Sequence, residues 1–154
     1  MNASNQNGPV AGRSTTLDLA TAIQPAKEAA AKLKRHAGRF EIYDVLRSIY
    51  RLYRDWKDRR IAGRSARLLA SELPIVRRKG MSPIRVLIEA ALPNANLKEK
   101  SRWVRALEYL SSEHVPAKEF RSFLRANGGL AGCARLAVEA GRKRARPKGD
   151  WTDD

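Results

Sequence analysis

From Leu17 onward the apolar residues of this chain recur at spacings of three and four, and no window alternates polar with apolar as a strand would. That regularity restricts the fold to an all-α class. Its clearest instance begins near Arg39, where Phe40, Ile42, Val45, Leu46, Ile49, Leu52, Tyr53 and Trp56 fall on one broad helical stripe. A second helical stretch carries Ile61, Leu68, Leu69 and Leu73 on one side and stops at Pro74. Gly63 lies near the join and either breaks the helix or is tolerated within one long rod, at about 1 kcal/mol relative to Ala.

Gly and Pro punctuate the remainder. Residues 17–36 read as a weak helix interrupted near Pro25, with little apolar surface to pack. Ser82-Pro83 reads as the cap and first position of a short helix holding Ile84, Leu87, Ile88 and Ala91, and Pro93 stops it. Asn96 with Glu99 resembles a capping box, opening a helix with Leu97, Val104, Leu107 and Leu110 turned inward. Pro116 begins another, with Phe120, Phe123 and Leu124 apolar, and Asn127-Gly128-Gly129 ends it. Leu130 to about Gly141 is a final helix of small residues.

The expectation is a compact bundle of about six helices over 17–141. It is preceded by a disordered polar segment over 1–16 and followed by a flexible basic tail over 142–154. Within the helical domain a sub-division is open, with a long helix or helix pair over 39–73 and a bundle over 82–141.

The 154 residues include 31 Lys plus Arg against 16 Asp plus Glu, a net charge of +15. The excess is concentrated, since residues 25–80 hold 16 bases and 6 acids. A clustered field attracts a polyanion better than a diffuse one, so nucleic acid is the expected partner. From Arg59 to Lys79 seven bases meet one acid, Glu72. Arg60, Arg64 and Arg67 are spaced four and three apart, share a face, and have no acid three or four residues away. Arg77, Arg78 and Lys79 follow just beyond Pro74, where a loop could reach a phosphate backbone. By contrast Arg47, Arg51 and Arg54 each have a carboxylate at helical spacing, in Asp44, Asp55 and Asp58.

Further candidates for nucleic-acid contact are Arg59, Arg102 and Arg105, the last two on the outer face of the helix from Leu97 beside Lys98 and Lys100. Arg142, Lys143 and Arg144 could act as a flexible arm. Tyr43, Tyr50, Tyr53 and Trp56 coincide with the apolar stripe and are expected in the core, except Tyr50, whose place at the stripe's edge suggests exposure. Residues 116–141 have the outline of either a helix-turn-helix or a packed αα-hairpin. Arg135 and Glu139 among small residues make a poor reading head.

Catalysis is not expected. His36 and His114 stand apart from any metal-ligand spacing, and no phosphate-binding loop or nucleophile elbow occurs. Cys133, the single cysteine, excludes an intramolecular disulfide and reads as a small buried residue. No cofactor, metal or small-molecule substrate is implied. No apolar run reaches the ~18 residues of a membrane span, and the polar start lacks the order of a secretory signal. The expectation is therefore a cytoplasmic, non-enzymatic protein binding DNA, in transcriptional regulation or in replication, partition or transfer of a bacterial mobile element. An RNA-binding protein and a module docking an acidic protein surface are the alternatives. The width of the stripe from Phe40 to Trp56 is compatible with a homodimer.

Overall fold

The computed structural model describes residues 11–33 and 39–145, with side chains over 19–33 and 42–142. The described residues are all-helical. Seven α-helices occur among them: α1 (Ala11–Leu33), α2 (Arg39–Asp58), α3 (Ala62–Glu72), α4 (Pro83–Ala91), α5 (Leu97–Ser112), α6 (Phe120–Ala126) and α7 (Gly129–Ala145). A single 3-10 turn, Ala117–Glu119, leads into α6. The chain divides into two compact units, Met1–Ala95 and Asn96–Asp154.

The count exceeds six because α2 and α3 are separate helices. Their break is at Arg60, not Gly63, which lies in the first turn of α3. Arg60 has φ +58°, the Arg60 N–H donates to the Lys57 carbonyl, and the Ile61 N–H reaches back to the Trp56 carbonyl. This pair of bonds is a Schellman ending, a position that normally selects glycine. The same ending closes α5, with His114 at φ +55° and Val115 bonded back to Leu110.

In the first unit α4 touches α1, α2 and α3. Ser82 Oγ accepts from the Arg85 N–H at 3.3 Å and Pro83 occupies the first position, the expected start. Ile84, Val86, Leu87, Ile88 and Ala91 are buried, so α4 is covered on most of its circumference. It therefore belongs with α1–α3, whereas a sub-division beginning at 82 would group it with the later helices.

Four local expectations change here. α1 runs through Pro25 without interruption and packs on α2, burying Leu19, Ile23 and Ala26. Pro25 is exposed, so the backbone carbonyl that loses its partner faces water. Helix begins at Ala11, ahead of Leu17. Tyr50 is fully buried, because α1 and α4 cover two sides of the α2 stripe; that also occupies the width that suggested a dimer. Leu68, expected inside, is exposed, about 100° around α3 from the buried Leu69.

The second unit is built on the packing of α7 against α5, with α6 against α7. Asn96 Oδ1 accepts from the Lys98 N–H at 2.7 Å, which fixes the start of α5. Trp103, Ala106, Leu107, Leu110, Phe120, Leu124, Cys133 and Ala134 form its core, and Tyr109 lies against Phe123 with ring centroids 6.1 Å apart. Gly128, at φ +82°, makes the turn into α7. Gly132 lets that turn close, since a Cβ there would lie 1.9 Å from the Asn127 carbonyl oxygen. This turn and the seven-residue α6 form a packed αα-hairpin. Arg142–Ala145 are part of α7 instead of a tail, and 146–154 lie outside the described residues. No described helix is long and apolar enough to cross a membrane.

Burial pushes the Cys133 thiol up to about 11 from 9.0 and the Tyr50 phenol up to about 12 from 10.0. Both groups are held protonated in the native state, so the stability they contribute is complete below pH 9 and is lost as pH rises through 11 and 12. Helical circular dichroism in moderate urea should therefore fall over that interval, and Cys133→Ala should delay its onset. On α7, Gly132→Ala should destabilise by about 1–3 kcal/mol through overpacking. Gly141→Ala, in open space, should stabilise by up to about 1 kcal/mol. Urea unfolding of the two variants checks both signs.

Candidate nucleic-acid interface

The first unit presents exposed cations on three successive pieces of chain. The Schellman ending of α2 projects Arg60, the outer face of α3 carries Arg64 and Arg67, and the segment after Pro74 carries Arg77, Arg78 and Lys79. All six side chains are exposed, and none makes an ion pair with a described residue. Burial of Ala66, Leu69 and Ala70 on the opposite side of α3 forces this arrangement, because 100° per residue then turns Arg64 and Arg67 to solvent.

Arg59 differs from the expectation. Its guanidinium pairs with Asp55 at 3.3 Å, one turn back on α2, so it is not an uncompensated charge. Asp55 had been the expected partner of Arg51. The pairing of Arg54 with Asp58 is present at 4.0 Å, and Lys57 Nζ lies 5.8 Å from the Tyr53 ring centroid. α2 thus offers a mixed surface, on which Arg54 and Arg59 are paired while the exposed Arg47 and Arg51 make no ion pair with a described residue, contrary to the expected pairs with Asp44 and Asp55.

The start of α3 contributes a feature that charge counting misses. Its N-cap is Ile61, which supplies no side-chain acceptor, and its first turn has no acid. The N–H groups of the first turn lack intrahelical partners, and the helix dipole adds partial positive charge there. Gly63 has nothing within 4 Å of a would-be Cβ, so the backbone is open to close approach. Arg60 and Arg64 flank this point. An anion meeting it would find backbone donors and two guanidinium groups together, the arrangement by which helix starts hold phosphate. Gly63, read from the sequence as either a helix breaker or a tolerated residue within one rod, is instead a gap in the side-chain cover.

The segment after α3 is shaped as well as charged. The Ile75 N–H donates to the Ala70 carbonyl, tying its beginning to the last turn of α3. The Met81 N–H donates to the Arg78 carbonyl, and Gly80 has φ +81°, as the third position of a type II turn requires. Lys79 is therefore at a turn apex. Val76, 82% exposed, is an apolar side chain beside these cations that charge counting did not single out.

The other predicted residues belong to the second unit. Arg102 and Arg105 line a groove between α5 and α7 with Lys98 and Arg135. Lys100, expected on the same outer face, is 4% exposed and turned inward. Leu97, expected inside, is 68% exposed and lies at the groove. A residue at the first position of a helix has no preceding turn to cover it, which is why the periodic pattern misplaced it. Arg142 is exposed near the end of α7; Lys143 and Arg144 are in its last turn, and their side chains lie outside the described residues. His114 is exposed at the α5 ending, and Cys133 is fully buried.

Protein-family models, characterised proteins and solved structures include no match to this chain.

Arg60 is a non-glycine residue in the left-handed region, a conformation that costs about 1–2 kcal/mol. Arg60→Gly should raise the urea midpoint, with a gain of about 1 kcal/mol. Were the side chain instead needed to hold the α2–α3 junction together, the midpoint would fall.

Proposed function

We propose that this chain is a non-enzymatic nucleic-acid-binding protein whose first unit grips the phosphate backbone of duplex DNA. The observation that carries the reading is the exposure of Arg60, Arg64, Arg67, Arg77, Arg78 and Lys79, uncompensated among the described residues, with the uncapped start of α3 between Arg60 and Arg64. Phosphate is the anion that suits them. Guanidinium forks bind its oxygens in pairs, and backbone N–H groups at a helix start add donors. The strained backbone at Arg60 supports the same reading, since an arginine there is costly for stability and places a cation at the site's edge.

Such contacts position a protein on DNA without reading sequence. α7 does not supply an evident reading head: Ala131, Arg135, Val138 and Glu139 are exposed on it, and a carboxylate among them opposes phosphate. The function proposed is accordingly backbone-directed binding, suited to an accessory role in replication, partition or transfer of DNA, or in transcriptional control alongside a sequence-reading partner.

Binding to random duplex DNA should show a log–log salt slope of about −5 for six phosphate contacts. Changing Arg60, Arg64 and Arg67 together to Gln should reduce it to about −3. A slope near zero, or one that the triple variant leaves unchanged, removes the reading. Stronger competition by structured RNA than by duplex DNA would transfer the same surface to an A-form partner.

A further inference from the structure

The groove between α5 and α7, about 490 Å³, differs in kind from the surface on α3. Lys98, Arg102 and Arg105 reach it from α5 and Arg135 from α7, and no carboxylate lines it. It also carries two exposed aliphatic side chains, Leu97 and Val138. A phosphate backbone has nothing apolar to set against them. Bases stack on aromatic rings, and the groove has none. The complementary occupant has several acids around a large apolar side chain, which describes an acidic peptide.

The chain itself contains one. Asp150-Trp151-Thr152-Asp153-Asp154 holds three acids and a tryptophan with no base among them. Elsewhere Trp56 and Trp103 already belong to the cores of their units. We propose that the α5–α7 groove docks this segment of its own chain, with carboxylates on the cations of Arg102, Arg105 and Arg135 and the Trp151 indole against Leu97 and Val138.

The tether fits. Val138 lies seven residues before Ala145, about 10 Å back along α7 at 1.5 Å per residue. Trp151 lies six residues after Ala145, and such a stretch spans about 13 Å on average. A chain folding back along α7 thus brings Trp151 to Val138 and the following acids toward Arg135. Tethering at that length gives an effective concentration of about millimolar, so a weak intrinsic affinity suffices for occupancy.

The proposal is independent of nucleic acid and is tested without it. Amide spectra of the full chain are compared with those of Trp151→Ala and of the combined Asp150→Asn, Asp153→Asn, Asp154→Asn variant. The expected result is shifts at 97–105 and 134–138 in both. Their reversal in the triple variant should follow addition of a peptide of residues 149–154 at millimolar concentration, and Arg102→Gln with Arg105→Gln and Arg135→Gln should abolish the response. Shifts confined to 142–149 would assign the acids to their neighbouring bases and overturn the proposal. Shifts that grow with protein concentration would place the segment in a second copy and overturn the intramolecular form.

Discussion

The first unit depends on the burial of α4. A nine-residue helix is too short to persist alone, so its existence is a tertiary fact. Ile84, Val86, Leu87 and Ile88 each contribute roughly 1.5–3 kcal/mol of transfer free energy when removed from water. In return α4 gives the apolar sides of α1, α2 and α3 a common partner. With those sides fixed inward, the arginines of α3 have only solvent to face. The cationic surface is a consequence of the core and needs no separate device to hold it open.

The position of the α2–α3 break matters in the same way. Had the helix continued through residues 59–61, Arg60 would have remained within the regular ladder and α3 would have had no free start. The Schellman ending interrupts the ladder and leaves the first N–H groups of α3 without partners, at the point where carboxylates cease to accompany the bases. Asp55 and Asp58 pair with Arg59 and Arg54 at the end of α2, whereas Arg60, Arg64, Arg67, Arg77, Arg78 and Lys79 make no ion pair with a described residue.

Both units place cations on exposed faces but use them differently. On α3 the guanidinium groups stand on a convex helix face and an adjoining turn, open to an extended polyanion. Between α5 and α7 they line a concavity with aliphatic neighbours, which favours a short acidic peptide. Gly132 fixes where α7 starts, because only a residue without Cβ lets the α6–α7 turn close against the Asn127 carbonyl. Net charge is the same cue in both places, and shape distinguishes them.

The helical class, the cap at Ser82-Pro83, the start at Asn96 and the stop at Asn127-Gly128 were legible in the sequence, because each depends on local chemistry within one turn of the chain. The exposure of Arg64 and Arg67 was legible for the same reason, through helical periodicity. Other features were not. Tyr50 is buried because two helices meet over it, α1 persists through Pro25 because α2 covers its apolar side, and Lys100 turns inward while Leu97 does not. Periodicity locates a face, but which faces find a partner depends on contacts between residues far apart along the chain. The separation of the cations into an open helix surface and a walled groove was likewise decided by tertiary packing, since spacing encodes which side chains are neighbours on one helix and carries no information about what a second helix brings beside them.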